Sequence, residues 1–370
     1  MTTTNGYEQS DREERIGIVN LDELESRAEK IIPKGGFGYI AGGSEDEWTL
    51  RRNREAFNDV EILPRMLEGI TKPSTATSLL GIDITTPIIM APAAAQGLAH
   101  SRGEMATAEG FATAGTIMCQ STYGTTTIRQ TAEAGKGAPW FFQLYMSNDW
   151  DFNHALIDEA KDNGAKAVIL TVDSTQGGYR EADIVNGFQF PLPMANLEQF
   201  STRGSKGKGI AEIYAAAKQD ITVKDIELIE EYAQLPVIVK GIENPDDANL
   251  CIAAGAAAVW VSNHGGRQLN GGPAAFDVLP AVARAVNGRV PVIFDSGIRR
   301  GSHVFKAIAS GADVVALARP IIYGLALGGA LGVRSVIEHL THEFAIAMQL
   351  AGTRTVEDVK RATLIRRGSN

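Results

Sequence analysis

Eight short apolar segments recur along the chain, each followed by a polar or glycine-rich turn and a helical stretch. They begin at Pro87, Gly115, Trp140, Ala167, Pro236, Ala258, Pro291 and Ala312. Their β-branched runs lack the in–out alternation of half-buried strands and are typical of a parallel sheet buried on both faces. The eight strand–helix units predict a TIM (β/α)8 barrel. An open doubly wound sheet is the alternative, but the G-x-G-x-x-G turn often found after its first strand is absent.

Two segments lie outside this repeat. Residues 20–85 form an N-terminal preface that we expect to be helical, with an amphipathic helix over Leu21–Ile32. Residues 176–222 separate the fourth strand from the fifth and far exceed an ordinary connection. Because long loops at this end of a barrel often cover the substrate, we predict a lid, with a disordered surface insertion as the alternative. We expect a single domain over residues 1–370, with the barrel over 86–353.

The composition restricts the partners of the chain. A net charge of −9 opposes nucleic-acid binding, which needs a basic surface. No apolar run approaches the ~18 residues needed to cross a bilayer, and the polar N-terminus does not resemble a secretion signal. The two cysteines exclude a disulfide framework. We therefore expect a cytoplasmic protein that binds neither nucleic acid nor a membrane.

Polar residues follow the apolar segments where the predicted strands end. They are Gln143, Tyr145, Thr171, Asp173, Lys240, Ser262, Asn263, His264, Asp295 and Arg299. Any one of them could be a salt-bridge or capping residue. Charged groups at the ends of several successive buried strands are costly unless something pairs with them, and barrel enzymes carry their chemistry at this edge. The whole series therefore predicts a functional site.

The most specific local motif is SNHGGRQL, Ser262–Leu269, after the sixth strand. It places an imidazole, His264, and a guanidinium, Arg267, on one glycine-containing loop. A histidine can act as a base near neutral pH, and an arginine offers two parallel donors that match a carboxylate. The motif predicts deprotonation of a substrate that is held by its carboxylate.

A second motif, DSGIRRG at Asp295–Gly301, follows the seventh strand, and ALARP ends the eighth. Barrels hold phosphate groups here with backbone N–H groups and a helix N-terminus, and Arg299 and Arg319 would add positive charge. A phosphate-bearing cofactor at this position would reach across the barrel mouth towards Lys240, Gln143 and Thr171. No spacing of Cys and His residues predicts a metal site.

Together with the FFQLY and LTVDS segments and the Lys240 strand, these motifs resemble the FMN-dependent L-2-hydroxy acid oxidase family. The resemblance extends from about Leu21 to Thr353, and the combination of motifs is highly specific. Within the family, three segments are similar to those of bacterial lactate oxidases: IIPKGGFGYIAGGSEDE, MAPAAAQGLAH and IYAAAKQDIT.

The resemblance assigns roles to individual residues. It implies that His264 is the catalytic base and Asp173 its carboxylate partner. The residues it places at the substrate are Tyr39, Tyr145, Arg180, Tyr214 and Arg267, together with His264 itself. The residues it places at FMN are Pro92, Ala93, Ala94, Ser121, Gln143, Thr171, Lys240, Ser262, Asp295, Ser296, Gly297, Ile298, Arg299 and Arg319. Ala318 stands where the family usually has glycine, and we expect alanine to serve unless φ is positive there.

The activity implied by the resemblance is oxidation of an L-2-hydroxy acid to the 2-oxo acid, with O2 reduced to H2O2. L-Lactate is the expected substrate, and a homotetramer is the expected assembly. Glycolate and mandelate stay open as substrates, as does a dehydrogenase that passes electrons to a quinone or a cytochrome. Two other classes fit less well. A nucleotide dehydrogenase would need a nucleophilic cysteine, and a non-enzymatic phosphate-binding barrel would leave His264 and Asp173 unexplained.

Overall fold

The computed structural model describes residues 1–201 and 205–367; residues 202–204 of the predicted lid lie outside the described part. Eight parallel strands form one sheet. Numbered along the chain, they are β1 Ile88–Met90, β2 Met118–Ser121, β3 Trp140–Leu144, β4 Val168–Thr171, β5 Val237–Ile242, β6 Ala258–Val261, β7 Val292–Phe294 and β8 Val314–Leu317. Each lies within one of the eight apolar segments, so all eight predicted strands are confirmed.

The sheet closes into a barrel. Each strand pairs with its sequence neighbour from β2 to β8, and β8 pairs with β1. The remaining seam, between β1 and β2, is joined by a hydrogen bond from Met90 N to Ile117 O (3.0 Å) and by a bridge between Ala93 and Gln120. The TIM-barrel prediction is confirmed, and the carboxyl ends of all eight strands meet at one mouth.

A helix follows each strand and covers the outside of the barrel. In the same order the helices are α1 Gly103–Ala114, α2 Ile128–Ala134, α3 Trp150–Asp162, α4 Val223–Ala233, α5 Pro245–Ala253, α6 Ala275–Val286, α7 Gly301–Ala309 and α8 Arg319–Ala351. Local sequence starts several of them. Capping boxes at Thr127 and Thr222 begin α2 and α4, and Asn244 caps α5 ahead of a proline at its first position.

We expected no apolar segment long enough to cross a bilayer, but helix α8 has the length and the hydropathy to do so. However, 83% of its apolar window is buried inside the fold. Its backbone is non-helical at Gly328 and Gly329, where the N-terminal segment packs and Glu14 N donates to Gly328 O. These contacts are those of a core helix.

The preface is helical only in its first half, so the prediction for residues 20–85 is partly wrong. It contains helices Glu23–Glu29, Lys34–Ala41 and Trp48–Glu55, followed by strand Val60–Ile62, which pairs with Leu364–Arg366. A hairpin of Thr77–Leu79 and Ile82–Ile84 then leads into β1. Its turn, Leu80–Gly81, has positive φ at both residues, as a type I′ turn requires, and leucine gives no such signal in a sequence.

An N-terminal hairpin, Thr2–Thr4 with Tyr7–Gln9, was not expected. Its Asn5–Gly6 turn has positive φ at both residues and is the sequence signal that could have revealed it. Tyr7 and Gln9 donate hydrogen bonds to the carbonyls of Leu98 and Gly97, so the hairpin supports the loop after β1.

The predicted lid has secondary structure of its own in its described part. It contains short helices at Glu181–Val185, Ala195–Phe200 and Ile210–Tyr214. Phe190, Leu192 and Met194 are buried against the rest of the molecule. A disordered insertion is therefore the wrong interpretation of these described residues, and the function of the segment as a lid stays a prediction.

Candidate active site

A cavity opens at the mouth of the barrel. Most of the site residues expected from the sequence line it: Tyr39, Pro92, Ala93, Ala94, Tyr145, Arg180, Tyr214, Lys240, His264, Arg267, Asp295, Ser296, Gly297, Ile298, Arg299 and Arg319. Five others, Ser121, Gln143, Thr171, Asp173 and Ser262, are not among the lining residues and lie behind them, where they contact the lining residues or one another. The sequence did not single out Gly265, Ile40, Leu317 or Ile322, which also line the cavity.

His264 and Asp173 form a hydrogen-bonded pair at this mouth. Nδ1 of His264 lies 2.9 Å from Oδ1 of Asp173, and the Ser174 hydroxyl lies 3.1 Å from the same nitrogen. An ionised carboxylate only accepts hydrogen bonds, so the pairing places the imidazole proton on Nδ1. Nε2, which lies 3.4 Å from the Tyr145 hydroxyl, is then free to accept a proton. Ser174 was not identified from the sequence, although it directly follows Asp173.

The pKa values of the pair suit a base and its supporting carboxylate. Burial lowers the pKa of His264, while the charge of Asp173 opposes this effect. Burial alone would raise the pKa of Asp173, but Lys240 and His264 bring it down to about 2. At neutral pH, His264 is therefore neutral and Asp173 is charged, so the imidazole can take up a proton and the carboxylate can stabilise the resulting cation.

Lys240 lies between two buried carboxylates. Its Nζ is 3.9 Å from Asp173 Oδ2 and 3.8 Å from Asp295 Oδ2. It also donates to Ser262 Oγ at 3.0 Å, and Ser262 in turn donates to Asp295 at 2.7 Å. Asp295 accepts further hydrogen bonds from Trp260 and the Ser296 hydroxyl. The Asp295 carboxylate has only acceptors, and its backbone N–H donates to Val261 O at 3.1 Å, so Asp295 offers no free donor to an anion.

Three residues that line the cavity, Tyr39, Arg180 and Arg267, are suited to bind a carboxylate. The guanidinium carbons of Arg180 and Arg267 lie 5.6 and 5.0 Å from the ring centre of Tyr39. Arg267 donates to the carbonyls of Ile40 and Gly42. Arg180 is only 3% exposed, yet its Nε and Nη1 atoms have no hydrogen-bond partner.

Asp183 is the nearest acidic group to Arg180, with 3.9 Å between Oδ2 and Nη1. Asp183 was not predicted from the sequence, although its i+3 spacing from Arg180 was a usable signal. Buried donors on a cation are costly when they are left unpaired. An anionic acceptor inside the cavity would satisfy these donors of Arg180.

Two further arginines line the cavity, and one of them, Arg319, shares the carbonyl acceptors of Ile40 and Gly42 with Arg267. Arg319 donates to the carbonyls of Ile40, Gly42 and Gly265, and Arg299 donates to that of Ile298. Burial lowers the pKa of both guanidinium groups, and a neighbouring cation lowers the pKa of each of them further. Two buried cations beside a glycine-containing turn are suited to a phosphate.

The turn that follows β7 and leads to Arg299 has an unusual backbone. Ser296 and Gly297 both have φ of +88°, and a Cβ on Gly297 would lie 2.1 Å from Asn53 O. Glycine is therefore required at 297. Ala318 has φ of −115°, outside the region that favours glycine. The alanine in place of the family's usual glycine is thus compatible with this backbone.

A row of buried polar side chains crosses the ends of β2, β3 and β4. Ser121 Oγ donates to Gln143 Oε1 at 2.9 Å, and Gln143 Nε2 donates to Thr171 Oγ1 at 3.0 Å. Amide and hydroxyl groups in a row can hydrogen-bond the edge of a planar heterocycle. With the arginine pair and the cavity, this donor set fits a phosphate-bearing, ring-containing cofactor such as FMN; the individual roles of these side chains stay predictions.

Three tyrosines pack together beside His264. The rings of Tyr123 and Tyr145 stack at 4.6 Å, and Tyr214 meets them edge-on at 6.1 and 5.7 Å, respectively. Tyr214 comes from the predicted lid segment and is buried. The segment therefore contributes a wall to the site.

Comparison with known proteins gives a consistent result. The family model for FMN-dependent dehydrogenase matches residues 28–366. An L-lactate oxidase of Lentilactobacillus hilgardii is 64% identical over 365 residues, 99% of each chain. A structure described as a Pediococcus acidilactici lactate oxidase is 63% identical, with a TM-score of 0.95 and 99% of each chain covered. Glycolate oxidase 1 of Oryza sativa subsp. indica is 41% identical over 352 residues, covering 93% of this chain and 95% of that protein.

Proposed function

Because this chain belongs to the FMN-dependent dehydrogenase family, we propose that it oxidises L-lactate to pyruvate, with FMN as cofactor and O2 as electron acceptor. The observation that carries the proposal is that one cavity is lined by a neutral base, His264, and by a buried arginine, Arg180, whose Nε and Nη1 atoms have no hydrogen-bond partner. A 2-hydroxy acid supplies the two groups that these residues require, a hydroxyl and a carboxylate.

Arg180 and Arg267 bind the substrate carboxylate, and the Tyr39 ring holds the two guanidinium groups in place. Charge-assisted hydrogen bonds from two arginines fix both the position and the orientation of the acid. Neither arginine needs to change its protonation state. Their task is to present the hydroxyl of the substrate to the imidazole.

His264 accepts the hydroxyl proton at Nε2 while C2 is oxidised. Asp173 stabilises the imidazolium cation that results, and the Tyr145 hydroxyl, close to Nε2, can hydrogen-bond the substrate oxygen. FMN, when bound, supplies the acceptor for the hydride that leaves C2 and the electrons that reduce O2 to H2O2.

We assign the FMN phosphate to Arg299, Arg319 and the backbone of Ser296–Ile298, which directly follows Asp295. The edge of the ring system is assigned to Ser121, Gln143 and Thr171, with Lys240 and Ser262 beside it. The turn Pro92–Ala94 would contact one face. A positive charge at Lys240 stabilises negative charge that develops on a reduced ring.

The choice of L-lactate is supported by the lactate oxidases among the relatives. Ala94 lines the cavity, and Tyr123 stacks on Tyr145, which also lines it; these residues would border the side chain at C2. Relatives described as glycolate and mandelate oxidases make those two acids the alternative substrates. The choice of O2 rests on the oxidase descriptions of these relatives.

The test is an absorbance spectrum of the purified protein under nitrogen, recorded before and after addition of L-lactate and again after admission of air. We expect flavin bands that bleach with lactate, return in air and leave H2O2. Bands that stay bleached in air would contradict the oxidase activity and favour another acceptor. Bands that lactate leaves unchanged would contradict the proposal that L-lactate is the substrate. Glycolate and mandelate would then be tested in the same way.

We also propose that the protein is a cytoplasmic homotetramer. The assembly is supported by the family resemblance alone and the compartment by the composition. Sedimentation velocity of the purified enzyme tests the first part, since a monomer or dimer at micromolar concentration would contradict it. Fractionation of the source cells tests the second.

A further inference from the structure

A buried carboxylate outside the cavity joins two of the loops that form the site. Glu104 lies in the first turn of α1 and is 0% exposed. Within residues 1–201 and 205–367, no salt bridge includes it. A buried charge without a cationic partner is costly unless hydrogen bonds satisfy its oxygens.

Five hydrogen bonds satisfy Glu104. Its Oε1 accepts from the backbone N–H groups of Gln96 (3.1 Å) and Thr125 (2.9 Å). Its Oε2 accepts from the Thr125 hydroxyl (2.7 Å) and from both the N–H and the hydroxyl of Thr126 (3.2 Å each). Gln96 belongs to the loop after β1, whereas Thr125 and Thr126 belong to the loop after β2. One side chain therefore ties the two loops together.

The first of these loops carries a wall of the cavity. Gln96 Nε2 donates to Ala93 O at 3.2 Å, and Ala93 and Ala94 line the cavity. Ala95 adopts φ of +53°, a conformation that costs energy for a residue other than glycine and persists only when its surroundings hold it. Its N–H donates to Tyr123 O at 2.9 Å, which provides a second link between the loops.

The second loop leads to the base. The Tyr123 ring stacks on that of Tyr145 at 4.6 Å, and the Tyr145 hydroxyl lies 3.4 Å from Nε2 of His264. A shift of the Thr125–Thr126 segment relative to Gln96 would therefore move Tyr123 and Tyr145 relative to Ala94. Packed interiors transmit such shifts because they contain little free space.

We propose that Glu104 is a positioning residue that sets the gap between the Ala94 wall and the Tyr123–Tyr145 pair, and thereby the size of the side chain accepted at C2 of the 2-hydroxy acid. The inference rests on the proposed function and identifies a determinant of its specificity. Glu104 touches neither the substrate nor the reacting atoms and acts through the two loops.

The test compares Glu104→Gln with the matched control Thr116→Val. A glutamine keeps one acceptor for the N–H groups of Gln96 and Thr125. Its amide NH2, however, faces the N–H of Thr126, and because both groups are donors, that hydrogen bond is lost. Thr116 is also buried and its hydroxyl donates to Ile88 O at 2.7 Å, at the opposite end of the barrel. The control loses a buried hydrogen bond without affecting either loop.

Two readouts are needed. The first is kcat/KM for L-lactate relative to L-2-hydroxybutyrate, which differ by one methylene, a difference worth about tenfold or more in a fitted pocket. The second is the affinity of the oxidised holoenzyme for pyruvate relative to 2-oxobutyrate, followed by flavin absorbance without turnover. In Glu104→Gln we expect both ratios to fall about threefold or more, and Thr116→Val to keep the wild-type ratios.

Unchanged ratios in Glu104→Gln, with a loss of thermal stability like that of Thr116→Val, would overturn the positioning role and leave the proposed function intact. A wild-type enzyme that neither oxidises L-lactate nor binds pyruvate would contradict the proposed function, and the role of Glu104 with it. Glu104→Ala removes both acceptors, and if it retains FMN its ratios should fall further than those of the glutamine variant.

Discussion

Oδ1 of Asp173, two residues after β4, lies 2.9 Å from Nδ1 of His264, three residues after β6. The two residues are 91 positions apart in the chain and meet because the barrel brings the ends of its strands to one mouth. The pairing orients the imidazole and leaves Nε2 as the basic atom. The first two predictions follow from this contact.

Replacement of Asp173 by asparagine should slow flavin reduction about a hundredfold while the KM for L-lactate changes little. The amide cannot stabilise the imidazolium cation, and acid–base assistance is typically worth about 10²–10⁴ in rate. Stopped-flow absorbance under nitrogen measures the step, and His264→Ala should be impaired at least as strongly. Ser174→Ala is the matched control, since it keeps the carboxylate. Reduction of Asp173→Asn at the wild-type rate would refute the assignment.

The pH profile should show one acidic limb. Burial lowers the pKa of His264, so its neutral, basic form predominates from below pH 6.5 upwards, and kcat/KM should fall only as His264 becomes protonated at lower pH. Since the charge of Asp173 opposes this lowering, Asp173→Asn should move the limb to still lower pH. Burial raises the pKa of Tyr145 well above 10, so its phenol gives no limb near neutrality. A limb that moves to higher pH in Asp173→Asn would contradict this account.

Replacement of Arg180 by lysine should raise the KM for L-lactate by roughly tenfold to a hundredfold, as expected for lost hydrogen bonds between charged groups. Lysine keeps the charge but cannot offer two parallel donors. Steady-state kinetics measure the effect. Arg129→Lys is the control, because Arg129 is exposed and its ion pair within the described residues is with Glu159, away from the cavity. A KM within about twofold of wild type would remove Arg180 from the carboxylate site.

Ala318→Gly should leave FMN affinity within about threefold of wild type, because φ of −115° gives glycine no advantage. Arg319→Lys should weaken FMN binding about tenfold or more, since it loses the fork of donors that matches a phosphate. Release of FMN fluorescence on dilution of the holoenzyme measures both variants. Tighter FMN binding in Ala318→Gly would contradict this expectation and show that alanine at position 318 weakens FMN binding.

Much of the fold was predictable because its signals are local. An apolar β-branched run, the turn after it and the next helix all lie within about thirty residues, so the eight strands could be identified from short windows. The hairpin at Leu80–Gly81 could not, since a leucine at positive φ carries no local signal. The helical interpretation of the preface failed there for that reason.

The site, too, was only partly predictable from the sequence. The sequence by itself determined which chemical groups stand at the strand ends, and the motifs around His264 and Asp295 pointed to a base, a carboxylate site and a phosphate site. Only the tertiary structure decided how these groups pair. In the folded chain, Trp260 and Ser262 donate hydrogen bonds to the Asp295 carboxylate, whereas Arg180 has donors without a hydrogen-bond partner. The tertiary structure also ties the first two loops together through Glu104. These contacts join residues far apart in the chain, and their distances depend on the closure of the barrel, which no local pattern encodes.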